Sequence, residues 1–298
     1  MNEFNLRVVQ NNSISWRNRP QTHSFVRESR AIGRDEDKDK LVQMLIRDTS
    51  YEIAVVSIVS MGGMGKTTLA QLVYGDERIK KQFKLRIWVC VSDDFDVPKL
   101  AGKIIHTASG ENCDHTNIEV LQQRLRKELG QKRYLLVLDD VWNEDFQKWD
   151  ALRNMLLDGG EGSRILVTTR NEKCSRVMGV QKPYFLSRLS EESSWNLFEQ
   201  KANFAVGVPK PPKLLEIGQE IVKKCQGLPL AIEVMGCIMH CKSEESEWQA
   251  VLENIETWKL QNTQNEIIRE LWLSYVDLPT HLKKCFAFCS IFPKGSQS

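Results

Sequence analysis

Apolar residues in this chain come in short, nearly continuous runs, each followed by a stretch with helical spacing. The runs are IAVVSIV (53–59), LRIWVCV (85–91), YLLVLDD (134–140) and RILVTT (164–169). Runs this rich in Val, Ile and Leu suit strands buried on both faces, as in a parallel sheet. Helical patterns lie between them at Thr67–Tyr74, Pro98–Ala108, Ile118–Leu129 and Lys148–Leu157. An earlier helix is predicted from Asp35, with Leu41, Val42, Leu45 and Ile46 at helical spacing. Strands alternating with helices predict an α/β unit whose parallel sheet is covered on both faces.

After about residue 187 the strand pattern stops and helical patterns continue. Ser190 reads as an N-cap followed by acidic Glu191 and Glu192 in the first turn. The next pattern ends on Lys223 and Lys224, with Gly227 as the expected C′ residue. Pro229 then opens another helix, in the first turn where its missing N–H costs nothing. Residues 1–30 are polar, lack periodicity and read as a linker or the remnant of an N-terminal region. The expected division is therefore 1–30, an α/β unit over 31–185, an all-helical unit over 186–258, and a truncated further unit over 259–298.

Composition places the chain among globular proteins and removes some partners. Of its 298 residues, 41% are hydrophobic and 27% charged, and 41 basic against 39 acidic residues leave a net charge of +2. That balance gives no argument for a nucleic-acid partner. The opening MNEFNLRVVQNNS lacks the apolar core of a signal peptide, and no apolar run is long enough to span a bilayer. The eight cysteines are scattered through hydrophobic segments. They suggest a reduced compartment, cytoplasmic or nuclear.

The strongest chemical signal lies between the first strand and its helix, in Ser60-Met61-Gly62-Gly63-Met64-Gly65-Lys66-Thr67-Thr68. Gly62, Gly63 and Gly65 let backbone N–H groups converge on phosphate oxygens without Cβ obstruction. The helix N-terminus adds its partial positive charge. Lys66 is placed to reach β- and γ-phosphates, Thr67 to ligate Mg²⁺ through its hydroxyl, and Thr68 to bond the α-phosphate. The Gly-Lys-Thr core alone recurs by chance in about one chain of this length in ten. The strand before it and the helix after it carry the reading. Ser60 stands where the strict pattern has glycine, and a glycine-only backbone angle there would be strained. The bland alternative is a glycine-rich turn with a surface lysine.

Two further strand ends point to the same chemistry. Leu135–Leu138 runs straight into Asp139 and Asp140, two carboxylates at the C-terminal end of a buried strand, where α/β proteins bind ligands. Asp139 is the candidate Mg²⁺ ligand, and Asp140 the candidate to orient or deprotonate an attacking water. RILVTT ends in Arg170, which can reach a γ-phosphate. Helix-capping acids and a surface arginine are the alternatives.

These residues together resemble the NB-ARC nucleotide-binding module of plant intracellular immune receptors, over roughly residues 25 to 295. SFVRESRAIGRDEDKDKLV is similar to the family's entry segment, and SMGGMGKTTLAQLVY to its phosphate loop. FKLRIWVCVSDDFDV, YLLVLDDVW, GSRILVTTR, YFLSRLSEESSWNLFEQKA, CQGLPLA and CFAFCSIFPKG match further motifs in order. Trp142 resembles receptors with a coiled-coil N-terminus rather than those with a TIR domain. The resemblance implies a P-loop NTPase fold, then a helical ARC subdomain, then the start of a winged-helix subdomain at 259–298. It implies Ile32, Gly33 and Arg34 beside the adenine, Arg170 as sensor and Pro229 against the base or ribose. It also implies a two-state switch, with ADP in the resting state and ATP or dATP permitting self-association. Slow hydrolysis resets the switch, and a pathogen effector or guarded host protein acts indirectly. The family's Met-His-Asp motif, coiled coil and leucine-rich repeats are not in this sequence, so weaker ADP retention is expected.

Other patterns are weaker. Cys237, His240 and Cys241, with Cys285 and Cys289, have spacings that tempt a zinc reading but lie in helical, apolar stretches better suited to packing. Trp88, Trp142, Trp195 and Trp248 fall on apolar faces and are expected mostly in the core. Lys80-Lys81 reads as a solvated helix end. The competing functions are a truncated, non-hydrolysing decoy or scaffold, and a turnover enzyme such as a P-loop ATPase or small-molecule kinase.

Overall fold

The computed structural model describes residues 22–26, 31–47, 53–91, 95–113, 117–202 and 211–261, with side chains as far as Ile255. All of these residues fall within one compact unit, Thr22–Asp277. The apolar run at 53–59 forms β1 (Ala54–Val59), preceded by α1 (Asp35–Ile46). β1 passes through the glycine-rich loop into α2 (Lys66–Gly75), and α3 (Glu77–Gln82) leads to β2 (Leu85–Cys90). Next come α4 (Val97–Ser109), α5 (Ile118–Leu129), β3 (Tyr134–Val141), α6 (Phe146–Leu156) and β4 (Arg164–Thr169). The α/β part closes with α7 (Glu172–Val177) and β5 (Tyr184–Phe185). From there the chain is helical: α8 (Glu191–Lys201), α9 (Pro212–Lys224), α10 (Pro229–His240) and α11 (Glu245–Gln261). The winged-helix expectation for 259–298 falls almost wholly outside the described residues.

The five strands form one parallel sheet in the order β2-β3-β4-β1-β5. Period-two alternation divides its side chains between two cores. Leu135 and Val137 of β3 and Leu166 of β4 face the core shared with α1, α2 and, further on, α8 to α10. Leu136, Leu138, Ile165 and Val167 face the other core, against α4, α5 and α6. Side chains this buried contribute about 1.5–3 kcal/mol each, which explains why both faces read as apolar. β5 and the six-residue helix α7 are absent from the sequence-based reading, which catches only the Lys80-Lys81 end of the six-residue α3. β5 has two residues, and Phe185 is exposed, so no apolar run marks it.

Side-chain caps set several helix starts. Asp96 accepts from the Lys99 amide, Asn117 from Glu119, Asp145 from Gln147, and Ser190 from Ser193. Each such cap stabilises by about 1 kcal/mol. The end of α9 differs from expectation. After the cap residue Cys225, Gln226 (φ 52°) takes the left-handed position first and Gly227 (φ 70°) follows it.

A bulge on β3 shapes the end of the sheet. Leu138 pairs with Val167 and Val141 with Thr169, so three residues on β3 are matched by two on β4. Asp140 absorbs the extra residue in the left-handed region, at φ 56°. Strict alternation would send Asp139 and Asp140 to opposite faces. The bulge turns Asp140 into the crevice at the carboxyl ends of the strands, beside β1 and β4, where the order of connections reverses, and leaves Asp139 buried beneath it.

Candidate functional site

The loop after β1 holds its shape through two left-handed glycines, Gly63 (φ 76°) and Gly65 (φ 87°), the latter capping α2. A side chain on Gly63 would place its Cβ 2.8 Å from Leu230 Cβ, so only glycine fits there. Ser60 is not among the residues with positive φ. The serine therefore sits in a backbone conformation open to any residue, and the condition under which it would be strained does not hold. Its amide bonds Thr169 O at 3.4 Å, tying the loop to β4.

Lys66 is buried, with its Nζ donating to Ser60 O and Met61 O, both at 2.8 Å. Burial and the nearby Arg170 charge lower its pKa to about 8, against the opposing pull of Asp140 and Asp139. Asp139 has no exposed surface. It accepts from Thr67 Oγ1 at 3.1 Å to each oxygen and from Thr168 Oγ1 at 2.5 Å. A carboxylate this deeply buried, with two threonine hydroxyls as hydrogen-bond donors and the Lys66 charge nearby, costs the fold several kcal/mol, which marks a position kept for its charge. Thr168 Oγ1 also accepts from the Asp140 amide at 2.8 Å, fixing the bulge. Arg170 lies with Nε 3.7 Å from Asp140 Oδ1.

Lys66, Thr67, Asp140 and Arg170 open onto one cleft of about 320 Å³, within the usual range of small-molecule sites. Ile32, Arg34, Gly62, Gly63, Met64, Gly65, Lys66, Thr67, Thr68, Asp140, Arg170 and Pro229 all line it, as the sequence reading brings them together. Gly33 does not. It packs against Ser193 of α8, behind the wall. Asp139 lies just beneath, reached through Thr67. The Arg34 guanidinium is committed to protein groups: Met64 O at 2.9 Å, Ser187 O at 2.8 Å and Asp37 at 3.0 Å. It braces the loop against α1 and the segment after β5.

Thr22, Ala31, Leu189, Leu197, Leu230 and Glu233 also line the cleft and are absent from the sequence reading. Most are apolar residues that no pattern separates from ordinary core. Leu230 also donates its amide to Gly63 O at 3.1 Å, joining the start of α10 directly to the loop. Glu233 pairs with Lys201 at 2.7 Å. The wall opposite the lysine is therefore supplied by α8 and α10, and the cleft needs both the sheet and the helices.

The NB-ARC domain pattern matches residues 34–206. The chain belongs to the NB-ARC family. This NB-ARC chain is 44% identical over 282 residues to disease resistance protein RGA2 of Solanum bulbocastanum, covering 94% of this chain and 29% of that protein. It is 34% identical to disease resistance protein RPM1 of Arabidopsis thaliana, covering 90% of this chain and 30% of RPM1. The chain thus spans less than a third of the length of these relatives. Among solved structures, a Signal Transduction ATPase with Numerous Domains (STAND) protein with a tetratricopeptide repeat sensor, PH0952 from Pyrococcus horikoshii, aligns with a TM-score of 0.49 at 17% identity. That alignment covers 94% of this chain and 37% of PH0952.

The remaining candidates resolve as follows. Among the described residues no group of three or more His, Cys, Asp and Glu could hold a metal. Cys237 and Cys241 are exposed rather than packed in a core, and Cys285 and Cys289 lie outside the described residues. Trp88 and Trp248 are buried and Trp195 packs against the core, but Trp142 is exposed. Lys80 and Lys81 are exposed in the last turn of α3. No helix among the described residues is long and apolar enough to cross a membrane.

Proposed function

We propose that this NB-ARC domain is an ADP/ATP-binding switch with slow ATP hydrolysis as its reset. The observation that carries the reading is the composition of the cleft. Lys66, Asp140 and Arg170 converge on one side, and the apolar wall of Pro229, Leu189 and Leu197 faces them from the helical part. A flat purine suits the apolar wall, and phosphates suit the loop amides, Lys66 and Arg170. Ile32 and Arg34 belong to the nucleoside end of this reading, with Gly33 packed behind them.

Thr67 and Asp139 would hold Mg²⁺, since a hydroxyl and a carboxylate 3.1 Å apart are the hard oxygen donors that ion prefers. When bound there, Mg²⁺ would supply positive charge against the nucleotide phosphates. Asp140 is placed to orient or deprotonate water, and Arg170 to meet the terminal phosphate. Leu230 bonds the loop carbonyl of Gly63, so a phosphate that moves the loop also acts on α10. This link is the physical basis proposed for switching, with ATP or dATP favouring one arrangement and ADP the other.

Self-association and an indirect response to a pathogen effector or guarded host protein are proposed for a whole receptor, of which these 298 residues correspond to a part. A cytoplasmic location belongs to the same proposal. Among the described residues Cys90, Cys113, Cys174, Cys237 and Cys241 carry thiols outside any disulfide, which suits that location. Single-turnover hydrolysis of ATP by the chain, beside Lys66→Ala and Asp140→Ala, tests the reading. The expected result is hydrolysis no faster than about one per minute, lost in both variants. Turnover well above that rate would make the protein a metabolic ATPase, and no ADP binding at millimolar concentration would make it a scaffold.

A further inference from the structure

Trp142 is out of place for a tryptophan of this protein. Trp149 and Trp248 are each 2% exposed, whereas Trp142 is 39% exposed. Its ring is not idle, because the Arg170 guanidinium carbon lies 4.8 Å from the ring centroid. The sheet register explains the meeting. Val141 pairs with Thr169 on the neighbouring strand, and Trp142 and Arg170 each follow one residue later. Arg170 lines the cleft and Trp142 does not, so the indole backs the arginine from outside. Asp140, with Oδ1 3.7 Å from Arg170 Nε, holds the same side chain from the cleft side.

An arginine half-exposed at the end of a strand samples many rotamers, and fixing it to meet a ligand costs entropy. A stacked indole removes part of that freedom before the ligand arrives, and the attraction between cation and ring face adds to it. We propose that Trp142 is a positioning residue for Arg170, holding the guanidinium where it meets the terminal phosphate of a nucleoside triphosphate. This rests on the reading of Arg170 given under the proposed function. It predicts an effect on triphosphate binding and none on diphosphate binding, because only the triphosphate carries the group Arg170 meets.

The test is a double-mutant cycle on the full 298-residue chain, with affinities for ADP and a slowly hydrolysed ATP analogue measured by calorimetry in Mg²⁺. Arg170→Ala should weaken analogue binding about tenfold and leave ADP unchanged. Trp142→Ala should weaken analogue binding about two- to fivefold, again sparing ADP, and Trp142→Phe should restore most of it. In the Arg170→Ala background Trp142→Ala should have no effect. Equal losses for both nucleotides in Trp142→Ala, or the same loss with Arg170 absent, would overturn the inference while leaving the switch intact. An unchanged ratio in Arg170→Ala would overturn the Arg170 reading and the inference with it.

Discussion

Gly63→Ala tests whether the phosphate loop and the first turn of α10 act as one piece. Gly63 sits at φ 76°, a region that costs an L-residue about 1–2 kcal/mol. The new methyl would also lie 2.8 Å from Leu230 Cβ and 3.1 Å from its Cδ2. Forcing that contact apart adds about 1–3 kcal/mol and stretches the 3.1 Å bond from the Leu230 amide to Gly63 O. The expected destabilisation is about 2–5 kcal/mol, a fall in melting temperature of roughly 4–20 °C. ADP affinity should fall by more than about tenfold, because the amides that face the phosphates shift with the loop. Adding Leu230→Gly, which removes the Cβ and Cδ2 together, should recover the steric part and leave the backbone part, so the two substitutions must be non-additive. Thermal melts and ADP titrations of the four proteins check this. A Gly63→Ala protein that melts and binds ADP like the wild type would show that neither the left-handed backbone nor the Leu230 contact holds the loop.

Three other expectations follow from the same geometry. Asp139→Asn should leave unfolding free energy in urea unchanged or raise it by about 1 kcal/mol, since it removes a buried charge and keeps an acceptor for Thr67 and Thr168. The same variant should lose the gain in ATP affinity that Mg²⁺ gives. Asp140→Gly should not destabilise the fold, because it relieves a left-handed residue at φ 56°, yet single-turnover hydrolysis should be lost. Lys66 titrates near pH 8, and bound phosphate favours its charged form, so ADP affinity should fall by up to about tenfold per unit as pH rises above 8. The nucleotide-free fold should show the opposite sign: a lysine pKa lowered from 10.5 weakens the fold as pH falls, so stability should rise between about pH 8 and 10.5.

The sheet was legible in sequence because each of β1 to β4 is buried on both faces, and burial of that kind leaves an uninterrupted apolar run. The same logic hid β5, a two-residue edge strand with Phe185 in solvent. α3 and α7 are too short for a helical period to show. The phosphate side of the cleft was legible because it is local in sequence: Gly62 to Thr68 lie in one loop, and Asp139, Asp140 and Arg170 sit at strand ends. The nucleoside side was only partly so. Leu189, Leu197 and Leu230 look like any core leucine until α8 and α10 are packed beside the loop. Arg34 illustrates a different gap. Its position beside the cleft follows from the motif, but its bonds to Met64 O and Ser187 O span 30 and 153 residues and depend on the fold. The exposure of Trp142 was likewise invisible, since its neighbours Val141 and Leu138 are fully buried.

The central claim is that Lys66 and its loop bind nucleotide phosphate in the cleft between the sheet and the helices. Calorimetric titration of ADP into the purified 298-residue chain and into Lys66→Ala tests it most directly. The account predicts saturable one-to-one binding by the wild type and a loss of affinity of about a hundredfold or more in the variant. Equal ADP binding by the two proteins, or none by either, would contradict it.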